Sequence, residues 1–407
     1  MASIPSRLAS IADRPSHETG RPVGGWAFTG MAVMSIGGPL ALAALVAPGV
    51  LGDAAGSAGL VMVAAVVVFA APLVIWLHYA RHVHSAGGLY AFTEAAAGRR
   101  VALVQAGLWI VSYALYLVYT TAQIVYEILP AVLPGVRPIQ PFLEIAIPVA
   151  LACVMIAGRR ATLIVVSVLA VGQLVIAAAL GGVSVASLGA PAASLGATAP
   201  AGTLASATGQ AALLYVCASL PLFLGGEVAR PAVTVRRGLI AAYVATAAVV
   251  IAAVLPLAAA PGFARADIPG VSVAEQFAGH GFAVVVGIGV AASTAGVILA
   301  EYIALGRLLH AVTSRSLRGI NIGIGAVMVV AAPFMLFNPL RLYEDLVQPS
   351  IIALLLSNLI VFAVYPLFAA RHGIRRLSAR LGVAAVTVIA VAFTVYGLWT
   401  TFSQVSS

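Results

Sequence analysis

Lysine is absent from this 407-residue chain, and charge of either sign is scarce: 21 basic residues, all arginine, and 12 acidic ones, together 8% of the sequence. Soluble globular domains carry about 25% charged residues, so a water-soluble fold is excluded. There are only two cysteines, Cys153 and Cys217, both inside apolar runs. That excludes a disulfide framework and a CxxC metal site and leaves two small buried thiols. No GxxxxGK[ST] loop is present, so nothing supports pumping by ATP hydrolysis. Histidines and carboxylates do not cluster at one depth, as a membrane-embedded enzyme would require, and no repeated filter segment marks a channel.

What is present is 62% hydrophobic sequence with a mean hydropathy of +1.10. Apolar stretches of about twenty residues recur, the length an α-helix needs to cross some 30 Å of hydrocarbon, without the alternation of barrel strands. Spans are predicted near 25–51, 57–80, 101–130, 142–157, 161–183, 207–229, 238–260, 281–308, 320–338, 346–369 and 379–402. These are helices 1 to 11 of a polytopic membrane protein. With the amino terminus inside, eighteen arginines fall on the inner side and only Arg137, Arg265 and Arg341 on the other. This agrees with the positive-inside rule and places the carboxyl terminus outside, in a multi-pass inner-membrane protein. Arginines in short loops meet anionic lipid headgroups, so the net charge of +9 gives no reason to expect a nucleic-acid partner.

The uncharged Ala/Ser/Gly/Pro-rich stretch 184–206 reads as a flexible external linker. It divides the chain into a cytoplasmic tail (1–24), a first group of five helices (25–183), a second group of five (207–369), and a segment 370–407 with an inner loop, helix 11 and a short external tail. Five is odd, so the second group runs with opposite polarity to the first, which is the topology of an inverted repeat. In such repeats the substrate site lies where the first helix of each half is interrupted. Helix 1 contains Ser35-Ile36-Gly37-Gly38-Pro39 at its middle, and helix 6 contains Tyr215-Val216-Cys217-Ala218-Ser219-Leu220-Pro221. Two glycines and a proline remove side-chain packing, a donor and an i to i−4 bond, and Pro221 deprives the Cys217 carbonyl of its α-helical partner. Both helices are expected to break.

Ser85-Ala86-Gly87-Gly88-Leu89-Tyr90-Ala91-Phe92 through Gly98-Arg99-Arg100 resembles the loop from helix 2 to helix 3 of the amino acid-polyamine-organocation permease superfamily. Glu227-Val228-Ala229-Arg230-Pro231 and Arg307-Leu308-Leu309-His310-Ala311 resemble that family's exits from helices 6 and 8. The resemblance covers helices 1 to 10 and implies a five-plus-five inverted-repeat transporter of the leucine-transporter type, here with an additional eleventh helix. It is partial in places. Ile36-Gly37-Gly38 matches the family's Gly-Ser-Gly only in part, Arg230 stands where the family has asparagine, and Gln173 stands where many members have a lysine in place of a sodium ion. Gln173 cannot titrate, so a proton-carrying amine there is excluded.

A zwitterionic amino acid would meet the N–H groups of Gly37 and Gly38 through its carboxylate and carbonyls near Tyr215 to Ala218 through its ammonium, an arrangement the resemblance also implies. Neither break contains a charged side chain, which favours a neutral or apolar amino acid or a related amine. A nucleobase or another organic cation is the alternative cargo. Trp109, Tyr113 and Tyr116 share a face of helix 3, either packing against neighbours or walling the site, and the resemblance gives Tyr215 the part of an outer lid. Ser293 and Thr294 of helix 8 resemble the hydroxyl ligands of sodium-coupled carriers, or bond back to their own helix. Glu301, an ionisable group at membrane depth, is a candidate proton site unless Arg307 or His310 pairs with it. The coupling ion is therefore Na+ or H+. Glu227 beside Arg230 forms either an inner gate or a solvated pair, Glu127 and Glu144 read as hydrated outer carboxylates, and His78, His82 and His84 as an interfacial cluster without a metal.

Overall fold

The computed structural model describes residues 22–189, 192–258, 262, 266–373 and 376–405. The tail through residue 21, Arg265 and Arg375 of the charge count, and the last two residues lie outside it. Among the described residues, eleven helices are long and apolar enough to cross a membrane: helix 1 (Gly25–Leu51), helix 2 (Ala54–His82), helix 3 (Arg99–Val132), helix 4 (Pro134–Ile156), helix 5 (Arg159–Leu188), helix 6 (Ala201–Leu224), helix 7 (Pro231–Leu255), helix 8 (His280–Thr313), helix 9 (Leu317–Met335), helix 10 (Arg341–Arg371) and helix 11 (Leu377–Ser403). Short helices at Leu89–Ala97 and Pro269–Ala278 lie between spans.

Burial sorts the bundle into a centre and a rim. Helix 1 is 83% buried and helices 6 and 8 are 61% buried, against 22% for helix 9 and 28% for helices 4 and 11. Apolar side chains on the rim, such as Val67 and Val104, face outward, as they do where the solvent is lipid.

Both predicted interruptions are present. Helix 1 runs as α-helix to Ser35, then Gly37 and Gly38 take φ values of +64° and +68°, and Pro39 restarts the helix at its first position. Only glycine adopts two such values in succession without strain, and proline suits a helix start because its missing N–H is an orphan there anyway. Beyond Pro39 the helix widens into a π-helical stretch at Leu42–Val46. Helix 6 is α-helical from Ala201 to Leu213 and then tightens into a nine-residue 3-10 segment, Val216–Leu224, which contains Pro221. Such runs rarely exceed four residues, so this is a long departure from helical geometry at membrane depth.

The predicted flexible linker is shorter and more ordered than its composition suggests. Helix 5 continues to Leu188 and helix 6 begins at Ala201, because the alanines of 184–206 are good helix formers once packed. Between them Ser57 of helix 2 bonds to both the hydroxyl and the N–H of Thr198 at 2.8 Å.

Candidate functional site at the junction of the two breaks

The residues between the interruptions form one buried polar seam across helices 1, 3, 5, 6 and 8. At one end of it, Ser293 of helix 8 donates to the Gln173 side-chain carbonyl of helix 5 and accepts from the Ala41 N–H at 3.2 Å, just past the break in helix 1. The Gln173 amide in turn donates to the Met34 sulfur at 2.9 Å. A side chain added at Gly38 would fall on the Ser293 hydroxyl. Gln173 therefore ties the broken helix to its two neighbours by neutral hydrogen bonds.

The hydroxyls expected as sodium ligands have protein partners here. The Ser293 and Gln173 oxygens bond to each other and to Ala41 in the space between Gly38 and helix 8, and Thr294 turns back to the Val290 carbonyl at 3.1 Å. A hard cation would have to displace these donors to gain its oxygen ligands.

At the other end of the seam stands Glu301, about two turns further along helix 8 and fully buried. Its Oε1 lies 4.0 Å from the Cys217 sulfur in the break of helix 6, which accepts from the Tyr113 hydroxyl at 3.6 Å. Its Oε2 has no hydrogen-bond partner. The alternative partners in the sequence are not used. Arg307 is engaged elsewhere, and His310 bonds to the Arg315 carbonyl at 2.6 Å. The breaks themselves carry no charge, as expected, yet the seam holds a carboxylate contributed by a neighbouring helix. Cys217 thus lies in the seam.

Several expected details differ. Gly38 N–H donates to the Met34 carbonyl at 3.1 Å and is not free, whereas the Gly37 N–H has no backbone acceptor among the described residues. Ser35 is buried and bonds back to Ala32 at 2.8 Å, and the Ile36 N–H bonds to Val33. In helix 6 the Tyr215 carbonyl accepts from Ala218 at 2.9 Å. The 3-10 geometry moves the carbonyl orphaned by Pro221 from Cys217 to Ala218. Val216 is half-buried, and the buried Ser219 hydroxyl has no partner.

The aromatic residues divide into two groups. Trp109 stacks on Tyr113 at 3.8 Å and on Phe223 at 4.6 Å, so these walls lie against the seam. Tyr215 points away, between Phe69 of helix 2 at 5.7 Å and Tyr243 of helix 7 at 5.5 Å. It packs the bundle and is not a lid over Tyr113.

Glu227, placed by the sequence beside Arg230, forms a different pair. Its carboxylate receives two bonds from Arg307 of helix 8, at 2.6 and 3.0 Å, and one from Arg159 of helix 5 at 2.9 Å. Arg230 is exposed in a left-handed conformation, φ 53°, which turns it away. Burial would raise the Glu227 carboxyl, but Arg307 and Arg159 together outweigh it and hold the group below its ordinary value. The Val23 N–H donates to the Glu227 carbonyl at 2.8 Å, joining the start of helix 1 to the exit of helix 6. The arginine-bearing end of the seam is therefore locked. At the opposite end the helix Pro269–Ala278 lies on helix 1, with Gly270 against Ala44. Glu144, expected in water, is fully buried with neither oxygen partnered, while Glu127 is exposed. Nothing in helix 4 marked which of its faces meets the bundle.

No protein-family model matches the sequence, and no curated protein matches it. Solved structures do. MhsT in complex with L-phenylalanine superposes with a TM-score of 0.68 at 13% identity, over 91% of this chain and 98% of that one. The fold is the leucine-transporter fold. A Na+-coupled sialic acid symporter (TM-score 0.60, 12% identity, 93% and 90% covered) and the Eremococcus coleocola manganese transporter (0.65, 12%, 93% and 87%) share it. At these identities the likeness is one of fold, and the molecules named with these proteins, L-phenylalanine, sialic acid and manganese, differ too widely to indicate a ligand here.

Proposed function

We propose that this protein is an inner-membrane secondary transporter, with its arginine-bearing face cytoplasmic, that carries a small organic amine or related organic cation by alternating access. The observation that carries this reading is Glu301. A carboxylate buried beside the break of helix 6, with no basic partner among the described residues, is a counter-ion awaiting a cation. Trp109, Tyr113 and Tyr116 supply faces that attract an ammonium, worth about 0.5 to 2 kcal/mol for each good contact. The Gly37 N–H, without a backbone acceptor among the described residues, is by itself a thin cradle for a carboxylate.

A neutral amino acid is the second reading. Its ammonium would take Glu301 and its carboxylate the Gly37 amide. Thermal-shift measurements on the purified protein separate the two, since a ligand that binds only the folded form raises its apparent stability. Phenethylamine and benzyltrimethylammonium should stabilise the protein, whereas phenylalanine, leucine and uracil should not, and Glu301→Gln should abolish the shift. Stabilisation by phenylalanine or leucine but by neither cation would transfer the assignment to the amino acid.

A further inference from the structure

Resting on that reading of Glu301, we infer that the carrier exchanges its organic cation for a proton, both held in turn by the Glu301 carboxyl. The argument begins with what surrounds this side chain. Helix 1 has no ionisable residue from Gly25 to Leu51, helix 5 none from Ala161 to Leu188, and helix 9 none from Gly319 to Met335. Helix 6 offers only the Cys217 thiol toward Glu301, and helix 3 the phenols of Tyr113, Tyr116 and Tyr119. Of the other carboxylates of the packed elements, Glu127 and Glu144 lie toward the far ends of helices 3 and 4, and Glu275 of the Pro269–Ala278 helix is exposed beside His280 at the start of helix 8. The nearest cation along helix 8 is Arg307, about 9 Å away by helical rise; it donates twice to Glu227 and once to the Ile303 carbonyl.

Fully buried and without a countercharge among the described residues, an ionised carboxylate is costly, so without cargo Glu301 is the neutral acid. A cation can bind only to the carboxylate. Binding therefore proceeds as carboxylic acid plus organic cation giving the carboxylate–cation pair plus one proton, which leaves to the aqueous face then open. Release on the other side is the reverse, with a proton taken up. One group cannot hold both, so the loaded carrier returns with H+ and the carried charge is the same in each direction. The exchange so written assigns no step to sodium.

Calorimetric binding of benzyltrimethylammonium, and of phenethylamine, in two buffers of different ionisation enthalpy counts the protons released. Both ligands are cations at neutral pH, so a released proton comes from the protein. About one proton should leave per cation bound. Glu301→Gln should release none and bind roughly a hundredfold more weakly, and Glu301→Asp should restore release. In proteoliposomes an imposed pH gradient should drive benzyltrimethylammonium uphill equally well in sodium or potassium. Tight binding without proton release, or uptake that requires sodium, overturns the exchange while leaving the cation assignment standing. If neither cation binds, the cation assignment itself fails and the exchange with it.

Discussion

Replacing Arg307 with alanine removes two of the three hydrogen bonds that hold the Glu227 carboxylate, those at 2.6 and 3.0 Å, and leaves Arg159 at 2.9 Å. Breaking a buried ion pair by deleting one partner costs about 3 to 5 kcal/mol. Here the remaining guanidinium, with a side chain 23% exposed, keeps part of the interaction, so the lower figure of about 3 kcal/mol applies. The loss falls on the locked conformer alone, since opening returns the groups to water. At 1.4 kcal/mol per tenfold, the locked-to-open ratio should fall roughly a hundredfold. Cys217 reports the change because it lies beyond the lock, next to Glu301. In a Cys153→Ala background, a membrane-impermeant maleimide applied to the arginine-bearing face should label Arg307→Ala about two orders of magnitude faster than the parent. Arg307→Lys, a point charge without the two-pronged fork, should fall between them. Because Glu227 is held below its ordinary carboxylate value, its contribution is complete above that range and is lost only as pH falls through the depressed value. The ratio of the two labelling rates should therefore stay flat from neutral pH to about 5. Equal labelling of the folded variant and its parent would show that Glu227 and Arg307 do not hold this end shut.

Gly38→Ala meets both a φ of +68° and the Ser293 hydroxyl, so thermal unfolding should report a loss of about 1 to 3 kcal/mol together with loss of transport. Gln173→Leu leaves the buried Ser293 hydroxyl without its acceptor, with an expected destabilisation of about 1 to 3 kcal/mol read by denaturant midpoint, and sodium should not restore it. Tyr215→Phe should leave cation affinity unchanged in the thermal-shift assay, because the ring packs on Phe69 and Tyr243 and its hydroxyl has no partner. A large loss of affinity would return Tyr215 to the seam.

The spans, the arginine asymmetry and both interruptions were legible because each rests on local chemistry: helix length, charge, and the conformational limits of Gly37-Gly38-Pro39 and Pro221. What could not be read was rotation about each helix axis. A membrane helix such as helix 8 is apolar on every side, so its periodicity does not reveal whether residue 301 faces lipid or the bundle. Glu301 stands out in the sequence as an ionisable group at membrane depth, whereas Glu144 reads as a hydrated outer carboxylate, and the full burial of both is visible only in the fold. The resemblance makes Tyr215 an outer lid, yet tightening into 3-10 geometry turns it and Cys217, two residues on, toward different helices. The Glu227–Arg307 pair spans 80 residues, and local sequence favoured the adjacent Arg230. Gln173 was recognised as unable to titrate, but its contact with Met34 requires knowing how close helices 1 and 5 approach.

The short strand-like link between Val23 and Val228 gives Glu227 a second task. Through its main chain this residue ties the lower segments of helices 1 and 6 to one another, while through its carboxylate it bolts them to the surrounding frame. The two segments are thus hung as a double door on a single bolt. Withdrawing the bolt leaves the door leaves still fastened together by the Val23–Glu227 bond, so the two are expected to swing in one movement.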